Sequence, residues 1–154
     1  MACWTWAAMS IYFGGSKKKE VNLVPISELR AHELPEKSRV GELEVDMRKR
    51  GALLKPIVVD RGTKVILDGH CRCGALKRIG CSKVAVKFVD YNSGSIHVER
   101  WDGGEMTKNE VIDAGLNENL MMPKTSKHMV TKEGRRIHIS EICEDAAIPL
   151  EELA

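Results

Sequence analysis

The sequence predicts a single α+β domain, and two observations support that prediction. Short runs of β-branched residues at strand spacing alternate with apolar residues that repeat at helical spacing. The chain has 154 residues, which is enough for one hydrophobic core and too few for two ordinary domains. Residues 21–154 are therefore predicted to form the domain, and residues 1–20 a tail and linker.

The most informative stretch, residues 55–80, predicts two strands followed by a helix. Residues 56–60 and 64–67 are the two β-branched runs, and the residues between them have the composition of a hairpin turn. Asp68 and Gly69 stop the second strand. A helix is predicted to begin after Gly69, because apolar residues then recur at helical spacing.

The start of this helix is predicted to bind phosphate. The first backbone N–H groups of a helix have no partner inside the helix and lie at the positive end of its dipole. Here those groups belong to His70, Cys71 and Arg72, and Arg72 adds a guanidinium with several donors. Neither a Walker loop nor a G-x-G-x-x-G sequence is present. Asp68 is alternatively an ordinary helix N-cap.

The other elements follow from the same two patterns. Strands are predicted at residues 22–26, 83–90, 95–101 and 135–142, a closing strand or turn at 148–153, and helices at 39–50 and 106–120. With the two strands of the central stretch, these give a sheet of at least five candidate strands. The apolar side chains expected to pack from the second helix and the residues after it are Val111, Ile112, Leu116, Leu120, Met121 and Met122.

Residues 123–128, Pro-Lys-Thr-Ser-Lys-His, are predicted to form a polar loop that holds anionic oxygens. Hydroxyl, ammonium and imidazole groups all bind phosphate or carboxylate oxygens. Basic residues outnumber acidic ones between residues 123 and 140, whereas the formal net charge of the whole chain is only +2. A local basic face of this size suits a small anion better than a DNA duplex. The alternative interpretation is a solvated loop.

Four short motifs, in the same order along the chain, resemble those of a known fold. Residues 68–72, Asp-Gly-His-Cys-Arg, resemble the Asp-Gly-His-His-Arg motif of the ParB/sulfiredoxin-like fold. His32 and Glu33 resemble a Pro-His-Glu segment that follows the first strand, and Trp101 follows later strands as a family tryptophan does. Residues 123–128 are similar to a Pro-Lys-Thr-Thr-Arg-His segment. Within that fold, the chain is most similar to a trimmed version of the archaeal free-serine kinases.

The resemblance implies a mixed sheet with helices packed around it, and a kinase that transfers a phosphoryl group from ADP or ATP to the hydroxyl of free L-serine. Glu33 is the implied proton acceptor, and Asp68, with His70, the implied group that places Mg²⁺ or the acceptor hydroxyl. The residues implied to bind nucleotide phosphate are Gly69, His70, Cys71, Arg72, Thr125, Ser126, Lys127 and His128. Those implied to contact serine are His32, Trp101 and Lys127.

The chain departs from the family pattern at two of these positions. Lys127 stands where the family has arginine, which removes a bidentate donor, and Cys71 stands where it has a second histidine. Trp101 has a second interpretation as a core aromatic at the end of a strand.

Two relatives of the same fold give alternative functions. ParB-type proteins bind nucleotide and DNA, but His70 and Cys71 replace their Glu-Arg pair, and the weak net charge argues against DNA as a partner. In a sulfiredoxin the catalytic cysteine would align with His70, so that Cys71 lies one residue late and points about 100° away on a helix.

The cysteines and the apolar start of the chain predict a cytoplasmic protein without a membrane span. Five cysteines form an odd set, which suits a reducing compartment. Cys71 and Cys73 point to different sides of a helix, so they favour core packing over a zinc site. The apolar part of residues 1–13 is about half of what a bilayer crossing requires. The sequence leaves the oligomeric state open.

Overall fold

The computed structural model describes residues 21–154, and this part of the chain forms three α-helices and nine strands in three sheets. The predicted tail and linker, residues 1–20, lies outside the described residues. None of the helices between residues 21 and 154 has the length and apolar character needed to cross a membrane.

The largest sheet combines parallel and antiparallel strands. Its members are β1 (Asn22–Pro25), β3 (Ile57–Asp60), β4 (Ile66–Asp68) and β5 (Lys83–Val89). They lie in the order β1-β5-β3-β4, with β3 and β5 parallel and the other two pairs antiparallel. The sheet is therefore mixed, as the resemblance implied.

Two helices cover one face of this sheet. Helix α1 (Lys37–Arg50) follows the first strand, and helix α2 (His70–Ile79) packs against it. Because β3 and β5 are parallel neighbours, the chain between them has to cross from one end of the sheet to the other. Strand β4 and helix α2 make that connection, in the strand, strand and helix order that the sequence predicts.

The central strand β3 separates two hydrophobic clusters. Neighbouring residues of a strand point to opposite faces of the sheet. Ile57 and Val59 pack with the helices α1 and α2, whereas Val58 packs with the cluster on the other face. All three side chains are fully buried, which explains why the strand is a continuous apolar run instead of an alternating one.

A second, antiparallel sheet packs over the other face. It consists of β6 (Ile96–Arg100), β7 (Ser126–Lys132) and β8 (Arg135–His138) in that order. Helix α3 (Lys108–Leu116) adds Val111 to the same cluster as Val58, together with Ile96 and Val130 of the sheet. A ribbon of β2 (Ala52–Leu53) and β9 (Ile148–Pro149) closes the domain, which confirms the predicted closing strand.

The single sheet expected from the sequence is wrong, because the strands divide among three sheets. The sequence analysis predicted neither the short strand β2 nor the longer strand β7. Its side chains at residues 126, 128 and 130 are buried, and two of these three are polar, Ser126 and His128. Polar residues at buried positions conceal the alternation that predicts a strand. Residues 126–128 therefore begin a strand instead of completing a loop.

The region after α3 also differs from the prediction. The helix ends at Leu116, and Leu116, Leu120 and Met122 are exposed instead of packed. Met121 leaves the helical path because its backbone pairs with residues 32–34. The predicted strand at 135–142 is likewise shorter, since a 3₁₀ turn begins at Ile139.

We expect Gly69→Ala to destabilise the domain by about 2–5 kcal/mol. Gly69 has φ of 109°, a left-handed conformation that costs a residue with Cβ about 1–2 kcal/mol. A Cβ would also lie 2.6 Å from Cβ of Ile57, an overlap that adds about 1–3 kcal/mol. The free energy of unfolding in urea measures the loss.

Gly80→Ala is the matched control for this substitution. Gly80 has a similar φ of 101° but no atom within 4 Å of the added Cβ, so only the cost of about 1–2 kcal/mol for the left-handed backbone is expected. Equal losses in the two variants would contradict the close approach of Gly69 to β3.

Candidate functional site

A cavity of about 300 Å³ opens beside the start of helix α2. Residues from five separate segments line it: 33–36 after the first strand, 39–43 in α1, 67–72 at the end of β4 and the start of α2, 123–128 at the start of β7, and 138–140 at the end of β8. Trp101, directly after β6, completes one side. Residues from all four of the motifs that the sequence analysis quoted therefore meet at one place.

Most of the predicted site residues line this cavity. Those that do are Glu33, Asp68, Gly69, His70, Cys71, Arg72, Trp101, Ser126 and His128. Three others are not among the lining residues: His32, which is fully buried, and Thr125 and Lys127, which are half-buried.

The start of helix α2 presents backbone donors and an ion pair to the cavity. Gly69 is the N-cap, and no side chain caps the first N–H groups of the helix. Asp68 is thus not the N-cap that the alternative interpretation proposed. Its Oδ2 instead accepts a hydrogen bond from Nη2 of Arg72 at 2.8 Å. The Nε atom of Arg72 is buried without a partner, so this guanidinium retains an unused donor.

The Glu33 carboxylate is held by the first residues of β7. Its Oε1 accepts hydrogen bonds from the backbone N–H groups of Thr125 and Ser126, at 3.1 and 2.9 Å, and lies 3.0 Å from the Ser126 hydroxyl oxygen. Its Oε2 accepts from the backbone N–H of Lys124 at 3.2 Å. These backbone donors are consequently occupied by a protein side chain, and only side chains of this segment remain for a ligand.

His32 lies directly beneath Glu33 and is fully buried. Its Nδ1 is 2.6 Å from the carbonyl oxygen of Ile66, and its Nε2 is 2.8 Å from the hydroxyl oxygen of Ser126. Its backbone N–H donates to Nε2 of His70 at 3.2 Å. The resemblance implied that His32 contacts serine, but a side chain with no exposed surface cannot touch a ligand in the cavity directly. Its hydrogen-bond partner Ser126 does line the cavity.

Three imidazoles pack together at the cavity floor, His70 and His128 in the lining and His32 beneath them. The rings of His70 and His128 lie 4.6 and 5.8 Å from the ring of His32. Burial lowers the pKa of all three histidines, that of His70 well below its ordinary value and that of His128 to about 3. The Tyr91 hydroxyl, 2.8 Å from Nε2 of His128, has a raised pKa because it is buried as well. Neutral imidazoles supply no positive charge, so anion binding here depends on other groups.

Trp101 forms an exposed wall and not part of the core. Its side chain is 51% exposed, which contradicts the interpretation as a core aromatic. The ammonium group of Lys127 lies 4.9 Å above the ring and 3.8 Å from Oε1 of Glu99. Lys127 therefore contacts the Trp101 ring as a cation against an aromatic face. The resemblance had implied instead that this residue holds a carboxylate.

The predicted basic face is partly neutralised. Lys124 pairs with Glu36 at 3.1 Å, and Arg136 lies 3.8 Å from Glu99, which Lys127 also approaches. The hydrogen bond and charge of Lys124 lower the pKa of Glu36. The cations that line the cavity are Arg39, Arg72 and Lys124, and each lies within ion-pair distance of a carboxylate, those of Glu42, Asp68 and Glu36 respectively. Arg39 was not recognised in the sequence, since a lone arginine at the start of a helix carries no motif.

The cysteines and acids of the described chain form no cluster suited to a metal ion. Between residues 21 and 154, no group of three or more His, Cys, Asp or Glu side chains has metal-binding geometry. Cys71 lines the cavity and packs only partly on the core, whereas Cys73 is the buried one, with a pKa raised to about 12 by burial. A cation here would therefore need ligands from a bound nucleotide.

Curated relatives match part of the chain, and no protein-family model matches it. A ParB-like protein from Sulfolobus acidocaldarius is 34% identical over 83 residues, which is 54% of this chain and 41% of that protein. An ATP-dependent L-serine kinase from Desulfurococcus mucosus is 34% identical over 89 residues, 55% of this chain and 35% of the kinase. The matched region thus spans less than half the length of these relatives.

Solved structures share the whole fold at low sequence identity. A free serine kinase in complex with AMP superposes with a TM-score of 0.73 and 14% identity, over 93% of this chain and 97% of the kinase. A conserved hypothetical protein from Pyrococcus furiosus gives 0.72 and 15%, over 90% and 99%. At such identities the likeness shows the fold, and it confirms the predicted α+β fold with helices packed around mixed strands. Together with the curated relatives, it also confirms the resemblance to free-serine kinases.

We expect the stability of the domain to fall as the pH is lowered from 6.5 towards 5. The folded pKa of His128, about 3, lies below its ordinary value of 6.5. The unfolded chain takes up a proton in this window that the folded chain excludes, so stability that is present above pH 6.5 is lost on acidification. The loss is about 1.4 kcal/mol per pH unit for each histidine kept neutral. Urea unfolding at pH 7, 6 and 5 measures it.

His128→Gln keeps a partner for Tyr91 but cannot titrate, so its free energy of unfolding should depend less steeply on pH. His97→Gln is the control, because His97 makes only an exposed hydrogen bond, with Thr131. An identical slope in both variants would contradict the buried neutral state of His128.

Proposed function

We propose that this domain transfers the terminal phosphoryl group of a nucleotide to the hydroxyl of free L-serine and releases O-phosphoserine. The observation that carries the proposal is the meeting of Glu33 and the Asp68–Arg72 helix start at one cavity. Phosphoryl transfer requires an in-line arrangement, neutralisation of oxygen charge and an acceptor for the hydroxyl proton. The cavity offers groups for each of these tasks. The kinase names of the curated relative and of the solved structure support the same reaction class.

The nucleotide phosphates are assigned to the start of helix α2. The uncapped N–H groups of residues 70–72 suit phosphate oxygens, and Gly69 lets the ligand come close to the backbone. Arg72 adds a charged fork whose Nε has no protein partner. The donor is ATP or ADP, and both belong in the assay.

Mg²⁺ fits this site through one carboxylate. Mg²⁺ usually keeps several waters and binds one or two carboxylates together with substrate phosphates. Asp68 is the carboxylate that lines the cavity beside the phosphate donors, and it would hold the ion jointly with the nucleotide. Bound there, Mg²⁺ would neutralise charge on the phosphate oxygens. Asp68 also forms an ion pair with Arg72. With both ligands bound, Asp68 would hold Mg²⁺ and Arg72 would hold phosphate.

Glu33 is assigned the proton of the serine hydroxyl. Its Oε1 is surrounded by donors from Thr125 and Ser126, whereas its Oε2 accepts a single hydrogen bond from Lys124. Oε2 is therefore the oxygen with a lone pair available for the proton. We assign Trp101 and the side chain of Lys124 to contact the serine, because both line the cavity. Lys127 is assigned to hold the Trp101 ring in position. The reaction is assigned to the cytoplasm.

The direct test incubates the protein with Mg²⁺, ATP or ADP, and a panel of free amino acids. We expect O-phosphoserine to appear by ³¹P NMR with serine and one of the two nucleotides. No phosphoamino acid under any condition would refute the proposal. Nucleotide-dependent binding of duplex DNA in its place would favour a ParB-like regulatory module, which the name of one curated relative suggests.

Glu33→Gln should lower kcat by about 10²- to 10⁴-fold, the usual contribution of a positioned general base. The amide oxygen can still accept the donors that reach Oε1, so the melting temperature should change little. Glu28→Gln, an exposed acid before the same segment, is the control and should keep full turnover. Wild-type kcat in Glu33→Gln would remove Glu33 from the chemistry.

Arg72→Ala should raise the nucleotide KM by roughly 10- to 100-fold, as expected for losing hydrogen bonds to a charged group. The serine KM should change much less. Arg78→Ala is the matched control, since Arg78 lies on the same helix but is directed at Glu44, 3.7 Å away. A larger effect on the serine KM than on the nucleotide KM would contradict this assignment and would mean that Arg72 belongs to the serine subsite.

A further inference from the structure

We propose that Ser126 and His32 are positioning residues for the Glu33 carboxylate, and that the Ser126 hydroxyl turns from Glu33 to His32 when Glu33 takes up a proton. The inference rests on the role of Glu33 in the proposed function. It assigns to two residues a task other than the ligand contacts that the sequence implied.

The geometry places one hydroxyl between two acceptors. The Ser126 oxygen lies 3.0 Å from Oε1 of Glu33 and 2.8 Å from Nε2 of His32. Ser126 is 9% exposed and His32 is 0% exposed, so the contact between them is shielded from bulk water, and the contact of Ser126 with Glu33 is partly shielded. Hydrogen bonds in such surroundings are electrostatically stronger than in water, and an acceptor left without a donor is costly.

The positions of the hydrogen atoms follow from the partner of the other ring nitrogen. The carbonyl oxygen of Ile66 can only accept, so Nδ1 of His32, at 2.6 Å, carries the hydrogen of the neutral ring. Nε2 is then an acceptor. An ionised Glu33 is an acceptor as well, and the Ser126 hydroxyl has a single hydrogen to offer to the two of them.

The charge on Glu33 decides which acceptor receives that hydrogen. While Glu33 is ionised, the hydroxyl donates to Oε1, because hydrogen bonds to a charged acceptor are about twice as strong. After proton uptake on Oε2, Oε1 is a neutral carbonyl oxygen that still accepts from the backbone of Thr125 and Ser126. The hydroxyl is then released to donate to Nε2 of His32.

The step balances without any further reactant. The O–H bond of the acceptor serine breaks and an Oε2–H bond forms on Glu33, while the serine oxygen bonds to the terminal phosphorus and the bond from that phosphorus to the bridging oxygen of the nucleotide breaks. The O–H bond of Ser126 only rotates. His32 gains a donor in the state where Glu33 is protonated. The buried imidazole therefore stabilises the state that follows proton transfer. It can do so because burial lowers the pKa of His32 and keeps the ring neutral. The titratable groups around that ring are Glu33, His70 and His128.

The imidazole ¹⁵N resonances of His32 test the switch without relying on turnover. In the wild-type protein at neutral pH, Nε2 should have the resonance of an acceptor nitrogen without a donor. In Glu33→Gln the hydroxyl is free to turn, so the Nε2 resonance should move upfield. Adding Ser126→Ala to Glu33→Gln should abolish that movement, and Ser126→Thr, which keeps a hydroxyl, should retain it.

Thr131→Val in the Glu33→Gln background is the matched control. Thr131, on the same strand as Ser126, forms the same kind of hydroxyl and imidazole pair with His97 of β6, at 3.0 Å but on the exposed surface. This substitution should leave the His32 resonances unchanged. For turnover, Ser126→Ala should lower kcat about 10- to 100-fold, the loss expected for one hydrogen bond to a charged group, with the serine KM changed less than about twofold. Ser126→Thr should restore most of kcat.

The outcomes separate this inference from the proposed function. Identical His32 resonances in wild type, Glu33→Gln and the double variant would overturn the switch, even in an active kinase. Resonances that behave as expected in a protein that phosphorylates no amino acid would support the switch and refute the proposed function. A serine KM that rises as much as kcat falls in Ser126→Ala would make Ser126 a ligand contact and overturn its positioning role.

Discussion

The Glu33 carboxylate joins two parts of the chain that no local sequence signal connects. It accepts hydrogen bonds from the backbone N–H groups of residues 124–126 and so fixes the start of β7 beside the segment that follows β1. Those donors would otherwise need other partners, because buried backbone groups are nearly always paired. The rest of the cavity is placed relative to this contact. His32 lies beneath it, and Trp101 lies beside it through a backbone bond to Thr125.

The part of the site whose local structure the sequence predicted correctly is the part formed by one short stretch of the chain. The order of strand, strand, glycine and helix in residues 56–80 appears in the structure as predicted. Gly69 lies against Ile57, twelve residues earlier in the same stretch, so even its packing is nearly local. A left-handed glycine before a helix exposes donors wherever the stretch is placed, which is why a phosphate site could be predicted there.

The other part of the site depends on contacts between distant residues. His32 and Ser126 are 94 residues apart, yet each supplies the partner that makes burial of the other tolerable. Neither residue alone predicts burial, since serine and histidine are common at the surface. The same property concealed strand β7, whose buried side chains at residues 126 and 128 are polar. His128 was expected to bind anions, and only its burial shows that it stays neutral.

The structural task of Glu33 and its proposed catalytic task compete, since a carboxylate that anchors a strand has its lone pairs occupied. The two oxygens resolve the conflict by dividing the tasks. Oε1 receives both shorter backbone bonds and the hydroxyl contact, whereas Oε2 receives one bond at 3.2 Å. Protonation of Oε2 would leave the anchoring bonds at Oε1 in place. The anchor also restricts the rotation of the side chain, so the proposed proton acceptor is already oriented before a substrate binds.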